Sequence, residues 1–261
     1  MATATAARRG ITFNEGKHRY SIDGRYATAV TTALKGIPKE WLVRWAAKSV
    51  AEYVVENLGE IQRMTSRSGP GFAAHFLTEL PTQKRDTAAV RGTAVHKFAE
   101  RIIRGEEVEV PDHLVPYVEA YLHFLEDFQP VTIHEELMVG SREHMVAGRL
   151  DSIQEIPGYG LCQVDYKTSS GVYGEHALQV AGYRHMEFCV VDGEEQPNPL
   201  VEHTFVLHIM AGDYALVPVQ AGPAEFGQFL TALANYRQNV MSRRLDKLIG
   251  DPIEPPRRDL P

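Results

Sequence analysis

The segment LCQVDYKTSS, residues 161–170, places an acid and a base two residues apart in a run typical of a β-strand. Side chains alternate along a strand, so Asp165 and Lys167 are expected to point to the same face. Such a pair is either a structural ion pair or one half of an active site. The two residues alone leave both interpretations open.

A second acid lies on the preceding strand-like segment. Asp151 ends the sequence AGRLD, and Gly158-Tyr159-Gly160 separates this segment from that of Asp165 as a hairpin turn. The turn lies midway between the two aspartates, so we expect them to lie opposite each other across the hairpin. Paired carboxylates repel, which raises one pKa, and a divalent cation relieves the repulsion. Carboxylate oxygens favour Mg²⁺ or Mn²⁺ over zinc.

A lysine beside such a cation adds a further chemical capacity. A bound divalent cation lowers the pKa of its water, and Lys167 can hold or polarise that water. The cation and the ammonium group can stabilise the charge that develops on a phosphate under attack. The pattern therefore indicates phosphodiester hydrolysis. It predicts that Asp165 faces a cation and that Lys167 faces a water and a phosphate, so that the two do not form a salt bridge.

The elements that must position these residues follow from hydrophobic periodicity and turn signals. A hairpin is predicted around Asp23-Gly24. Helices are predicted over residues 37–58, 72–80, 88–105, 111–128, 175–191 and 223–248. Strands are predicted over residues 131–139, 145–156, 161–168, 201–210 and 214–220.

This order predicts a mixed α/β fold, with a central mixed sheet flanked by helices. Residues 1–86 are interpreted as an N-terminal hairpin-plus-helix extension packed on a core of residues 87–250. Residues 251–261 form a proline-rich tail, and the first ten residues are interpreted as a flexible tail.

Composition narrows the class of protein. No run approaches the ~20 apolar residues of a membrane helix, and the N-terminus lacks the apolar core of a signal peptide. The two cysteines, Cys162 and Cys189, are too few for a disulfide framework. Cys162 is expected to face away from Asp165 and to serve in packing. A reducing cytoplasm fits this composition best, and no membrane association is expected.

Charge gives a weaker signal about partners. The net charge of −7 does not suggest a uniformly basic surface for nucleic acid, although the field that matters is local. The best candidate for a local basic surface is residues 84–104, which include Arg91 and Lys97. A solvated helix face explains the same stretch about equally well.

Four short motifs occur in a fixed order around these residues. They read Gly92-Thr93-Ala94-Val95-His96 on a helix, Gly148-Arg149-Leu150-Asp151 on a strand, Asp165-Tyr166-Lys167 on the next strand, and Gln179-Val180-Ala181-Gly182-Tyr183 on a helix. This set resembles the RecB-type branch of the PD-(D/E)xK nuclease superfamily, as in exonucleases encoded by bacteriophages and in the CRISPR-associated spacer-acquisition nucleases. Each motif is weak alone, and the match spans about residues 91–183.

The resemblance implies a restriction-endonuclease-like core and a role for each matched residue. Asp151, Asp165, His96 and the carbonyl of Tyr166 would bind the catalytic Mg²⁺ or Mn²⁺, and Lys167 would position or activate the water. Gln179 and Tyr183 would steady the site and contact DNA, with Arg91 and Lys97 as further supporting residues. Glu135 or Glu136 is a possible outer acid, although an ordinary strand-edge acid is the favoured interpretation. The cluster-binding cysteines of some relatives are absent, so no iron–sulfur cluster is expected.

The resemblance further implies a Mg²⁺-dependent DNA exonuclease of phage or bacterial recombination, replication or repair. It would act in the host cytoplasm if it is encoded by a phage. A recombinase or a single-strand-binding protein is a possible partner, and an oligomer is possible. Two alternatives stay open: a DNA-binding or adaptor module that does not cut, and a structure-specific or nicking endonuclease.

Overall fold

The computed structural model describes residues 10–242 and 249–250. Its strands are β1 (Ile11–Asn14), β2 (Arg19–Ile22), β3 (Arg25–Ala29), β4 (Val131–Ser141), β5 (Val146–Ile156), β6 (Gly160–Lys167), β7 (Phe188–Val191), β8 (Glu194–Pro197), β9 (His203–Met210) and β10 (Asp213–Pro218). Its helices are α1 (Val30–Ala33), α2 (Glu40–Glu56), α3 (Leu58–Ser68), α4 (Pro70–Ile103), α5 (Val115–Phe128), α6 (Gly174–Arg184) and α7 (Pro223–Ser242).

All ten strands join one mixed sheet, in which β5 is the branching element. One edge of β5 pairs with β4 along most of its length. The other edge pairs in parallel with β3 at residues 146–147 and antiparallel with β6 at residues 152–156. Residues 148–151 therefore lie in a fork between β3 and β6, where the ladder of β5 changes partner. Beyond the fork, β6 pairs in parallel with β9, which pairs with β10.

Helices cover both faces of the sheet because its central strands carry apolar residues on both sides. On one face, α1, α6 and α7 pack against a cluster that includes Leu137, Leu150 and Phe229. On the other face, α4 and α5 pack against a cluster that includes Val164, Leu207 and Phe124. The chain thus has the predicted mixed α/β fold, a mixed sheet flanked by helices, consistent with a restriction-endonuclease-like core.

Most predicted elements are confirmed, and three predicted helices differ from the structure. The helices predicted over 72–80 and 88–105 are one helix, α4, which continues through Pro81 although proline removes a backbone donor. The helix predicted over 175–191 ends at Arg184, and Phe188–Val191 forms β7 beside β4. The β-branched and aromatic residues of this segment find a strand partner there, and tertiary pairing outweighs the helical pattern.

The two predicted parts of the chain share elements. The predicted boundary between residues 86 and 87 falls inside α4, and β3 of the extension pairs with β5 of the core.

Cys162 is buried in the cluster under α4 and α5, on the opposite side of β6 from Asp165, as predicted. Among the described helices, none is long and apolar enough to span a membrane. The predicted tails at residues 1–9 and 251–261, and the predicted helix end at 243–248, lie outside the described residues.

Candidate active site

Three carboxylates occupy matching positions on three neighbouring strands. The β4–β5 ladder pairs Glu135 with Ser152 and Leu137 with Leu150, which places Glu136 opposite Asp151. The β5–β6 ladder ends with Ser152 opposite Val164, so Asp151 and Asp165 are the next opposing pair. Continued along both ladders, this register orders the acids across the sheet as Glu136, Asp151 and Asp165, and the predicted opposition of Asp151 and Asp165 agrees with it.

Where β5 and β6 separate, the side chain of Asp151 replaces a backbone carbonyl as the acceptor for a backbone N–H of β6. Its Oδ2 accepts a hydrogen bond of 2.6 Å from the backbone N–H of Tyr166. A hydrogen bond to a charged acceptor is stronger than a neutral ladder bond, so this contact fixes the carboxylate in the fork. The other oxygen, Oδ1, is left to face the imidazole of His96 at 3.7 Å from Nδ1.

His96 reaches the row of acids from α4. Its Nε2 lies 2.9 Å from the carbonyl oxygen of Tyr166, which can only accept, so Nε2 carries the proton. In the neutral ring the lone pair is then on Nδ1, the atom that faces Asp151. A backbone hydrogen bond of this kind is what fixes the orientation and tautomer of histidines that bind metal ions.

His96, Glu136 and Asp151 bring one ligand atom each within 4.8 Å of one another, a spacing that a metal ion could bridge. Burial, followed by the charges of Asp151 and Glu100, raises the pKa of Glu136 to about 7, against the opposing effects of Arg149 and His96. The excess of buried negative charge is the condition that a bound cation relieves. Of the predicted ligands, this group contains His96 and Asp151 but not Asp165.

Asp165 and Lys167 form an ion pair on the face of β6 that lies under α6. The prediction that they do not pair is therefore wrong in this structure. Asp165 is 1% exposed, and its Oδ1 accepts a hydrogen bond of 3.0 Å from Nε2 of Gln179. Burial raises the pKa of Asp165, and the ammonium of Lys167 opposes that effect. Two neighbours thus satisfy this carboxylate, one of them the cation two residues along the strand.

Lys167 keeps its proton in this setting. Burial lowers its pKa, but the carboxylates of Asp165 and Asp151 outweigh burial and raise it overall. The ammonium group also donates to the carbonyl oxygen of Tyr166 at 3.3 Å. Lys167 is therefore a fixed positive charge and hydrogen-bond donor, and it is unsuited to accept a proton from water.

Asp151 and His96 line a cavity of about 330 Å³ together with Lys167 and Gln179. Residues of the sheet and α6 line it together with residues of the N-terminal extension, namely Tyr20, Ala29, Val30 and Thr31. Gly148, the glycine of the motif on β5, allows the ring of Tyr183 to pack against the strand. A Cβ at this position would lie 2.6 Å from that ring. Tyr183 is 4% exposed. The motifs on β5 and α6 are therefore joined by direct packing.

The other predicted supporting residues differ in accessibility. Gln179 is buried and contacts Asp165, which suits the steadying role predicted for it. Arg91 donates to the carbonyl oxygen of Thr168 at 3.0 Å, and its guanidinium lies over the ring of Tyr117. Lys97 is exposed on α4. Contact between any of these residues and DNA stays a prediction.

Three of the six basic residues in the stretch 84–104 form ion pairs with acids of the described chain. Arg85 pairs with Asp86, Arg101 with Glu106, and Arg104 with Glu100 and Glu135. These pairs favour the solvated helix face over a basic surface for nucleic acid.

The sequence predicts only a secondary position for Glu136, as a possible outer acid or an ordinary strand-edge acid. A register shift of β4 between Thr132 and His134 changes which residues of β4 oppose which residues of β5. The sequence does not display this irregularity, so the alignment of Glu136 with Asp151 was not visible. The backbone of Glu136 is left-handed, with φ 49°, a conformation uncommon for glutamate. Such conformations cluster at functional sites.

His176 is buried near Lys167 and makes the folding stability depend on pH. Burial, followed by the charge of Lys167, lowers the pKa of His176 to about 4. The unfolded chain binds a proton near pH 6.5, whereas the folded chain does not until near pH 4, so stability is lost as pH falls through this window. We expect His176→Asn to reduce the loss of folding stability between pH 7 and pH 5. The amide oxygen of asparagine can replace Nδ1 as the acceptor from the backbone N–H of Tyr173.

Denaturant titrations at the two pH values measure this effect. The difference between wild type and His176→Asn is expected to be about 1–2 kcal/mol after partial screening by water. The exposed His123 offers the matched control, since His123→Asn should leave the dependence as in wild type. An equal loss in the wild type and His176→Asn would contradict the prediction.

Comparisons with known proteins add two structural likenesses. No family model and no curated protein matches the sequence. The crystal structure of SSO0001 covers 82% of this chain and 75% of its own, at 15% identity and a TM-score of 0.36. The crystal structure of an alkaline exonuclease (LHK-Exo) from Laribacter hongkongensis covers 62% of this chain and 88% of its own, at 11% identity and a TM-score of 0.32. These identities and TM-scores are too low to transfer an activity.

Proposed function

We propose that this chain is a divalent-metal-dependent nuclease that hydrolyses phosphodiester bonds of DNA. The observation that carries the proposal is the register-matched row of Glu136, Asp151 and Asp165, with His96 at one end and Lys167 at the other. A purely structural role does not require three acids, a histidine and a lysine to gather at one place in the sheet, because buried charge is costly unless it is paired. Catalytic sites accept this cost.

The donor set suits Mg²⁺ or Mn²⁺. Glu136 and Asp151 supply carboxylate oxygens and His96 supplies a nitrogen whose lone pair already faces them. Oxygen-rich sets favour these ions, and a cation bound here would lower the pKa of Glu136, which burial and then the charges of Asp151 and Glu100 raise. When bound, such an ion supplies Lewis acidity and lowers the pKa of its water. Asp165 remains a candidate ligand that would have to exchange Lys167 for the ion.

Other residues of the site would bind the phosphate and hold the side chains in position. Lys167 is protonated and can donate to a phosphate oxygen or orient a water, since donors fixed in a dry site stabilise developing charge. Gln179 holds Asp165, and Asp165 holds Lys167, so the ammonium group is positioned before substrate arrives. Arg149 lines the same cavity and pairs with Glu136 at 3.6 Å, which places a second cation beside it.

We further propose that the enzyme is an exonuclease of phage or bacterial DNA recombination, replication or repair. The order of the four sequence motifs supports this finer assignment, and the polarity of digestion is left to experiment. The alternatives are an endonuclease, or a DNA-binding module that keeps the site without cutting.

Digestion of end-labelled linear and closed circular DNA with Mg²⁺ or Mn²⁺ tests the proposal. We expect linear DNA to be degraded, circular DNA to be spared, and EDTA to stop the reaction. Cleavage of circular DNA would indicate the endonuclease. If the protein binds DNA but shows neither cleavage nor a metal-induced thermal shift, the nuclease proposal is wrong and the non-cleaving module is favoured.

A further inference from the structure

Two large aromatic rings stack on each other at the surface beyond the active site. Trp41 of α2 and Tyr173, the residue before α6, have ring centroids 6.1 Å apart and planes 19° apart. They nevertheless remain 51% and 43% exposed. Aromatic side chains of this size usually contribute by being buried, so an ordered pair with half its surface in water offers flat apolar faces to a ligand.

The rings are held in place before any ligand binds. The ring of His176 packs edge-on against Tyr173 with centroids 5.6 Å apart, and its Nδ1 accepts a hydrogen bond from the Tyr173 backbone. The phenol oxygen of Tyr173 lies 2.8 Å from the hydroxyl oxygen of Ser170. Lys39, two residues before Trp41, forms an ion pair of 2.5 Å with Glu175 of α6, which ties the start of α2 to α6. Preorganisation of this kind lowers the entropy cost of binding.

The pair lies close to the catalytic strand. Tyr173 follows Lys167 by six residues, which bounds their separation at roughly 20 Å, about six nucleotides of a stacked strand. The connecting loop is tied to the sheet, because Nε2 of His208 donates to the carbonyl oxygen of Ser169 at 2.7 Å. His208 lies opposite Lys167 in the ladder between β6 and β9. The loop that leads to Tyr173 is therefore anchored at Ser169, beside the strand of Lys167.

We propose that Trp41 and Tyr173 form a platform on which an unpaired nucleobase of the substrate strand stacks, so that the enzyme engages single-stranded DNA. The proposal rests on the nuclease function proposed above. A duplex has its bases already stacked inside, whereas an unpaired base exposes a π-face to an aromatic ring. The competing interpretation is that the pair only ties α2 to α6.

Tryptophan fluorescence reports on the platform without catalysis. The chain has two tryptophans, so Trp45→Phe leaves Trp41 as the only indole. In EDTA, we expect a single-stranded oligonucleotide to quench this emission. The same oligonucleotide with abasic sites keeps its phosphates and should bind with little quenching. Equal quenching by both would show that bases do not stack on Trp41 and would overturn the proposal.

Affinity measurements with matched variants complete the test. Trp41→Ala and Tyr173→Ala are each expected to weaken binding of the single-stranded oligonucleotide by roughly 5–150-fold, the range for loss of one stacked base. Trp41→Phe and Tyr173→Phe keep a ring and should bind within a few-fold of wild type. Val43→Ala, an exposed apolar position of the same helix, is the control and should have no effect.

The abasic oligonucleotide also separates stacking from misfolding. A variant that binds the abasic strand as tightly as wild type is folded. If its affinity is reduced only for the strand that carries bases, the reduction is caused by the loss of stacking on the platform. If the alanine variants weaken both strands equally, the pair is a structural tie and the proposal fails. Quenching of Trp41 in a chain that does not cleave DNA would instead reject the nuclease function and retain the platform.

Discussion

Asp151→Asn is expected to reduce the rate of DNA hydrolysis by about a thousandfold or more. Asp151 is the residue on which the site converges, since it lies between Glu136 and Asp165 and faces the imidazole of His96. Asparagine keeps the shape and an oxygen that can accept from the Tyr166 backbone. It removes the charge that a divalent cation requires, and residues that act as one unit lose nearly all activity when one is removed.

Initial rates of release of an end label measure the loss, and a thermal shift identifies its cause. Wild type should melt at a higher temperature when Mg²⁺ or Mn²⁺ is added, because a ligand of the folded state stabilises it. Asp151→Asn should lose this response. Glu155→Gln, an exposed carboxylate on the same strand, is the control and should keep both the rate and the thermal shift. Asp151→Asn activity within tenfold of wild type would remove Asp151 from the proposed chemistry.

The sequence predicted the strands of the site well because a local signal, the turn between them, sets how they pair. The Gly158-Tyr159-Gly160 turn sets the register of β5 and β6, and a hairpin register follows from its turn. The same turn brings Asp151 and Asp165 to opposing positions. Helices that follow clear periodicity, such as α2 and α7, were also predictable over most of their described length.

The features that escaped prediction depend on contacts between distant segments. The alignment of Glu136 with Asp151 depends on a bulge in β4, and the cavity wall from β3 and α1 depends on a parallel pairing with β5. The salt bridge between Asp165 and Lys167 depends on how deeply α6 buries Asp165. Pattern reasoning gives the face of a strand on which a side chain lies, but neither its burial nor its partner.

Lys167→Met is expected to separate the two interpretations of the pair on β6. Methionine is of similar length but uncharged, so Asp165 would be left buried without a cation. Breaking one side of a buried ion pair destabilises a protein by about 3–5 kcal/mol, and partial exposure of Lys167 places this case at about 2–3 kcal/mol. We also expect a loss of DNA hydrolysis of roughly 100- to 1,000-fold, the effect of removing a donor to developing negative charge.

The pH dependence of this destabilisation has a definite sign. Burial already raises the pKa of Asp165, and removal of Lys167 raises it further, since the ammonium lowers it in the wild type. A carboxyl with a raised folded pKa binds its proton more readily than in the unfolded chain, so its cost grows as pH rises. Denaturant titrations should therefore show a larger penalty for Lys167→Met at pH 8 than at pH 5.

The double variant Asp165→Asn/Lys167→Met decides whether the pair acts mainly in stability or in catalysis. It removes both charges, so most of the stability lost in Lys167→Met should return. A pair whose role is structural would then recover activity together with stability. We expect stability to recover while hydrolysis stays at or below the rate of Lys167→Met, because the double variant has neither the donor nor the candidate ligand. Recovery of hydrolysis to within tenfold of wild type would instead assign the pair to folding alone.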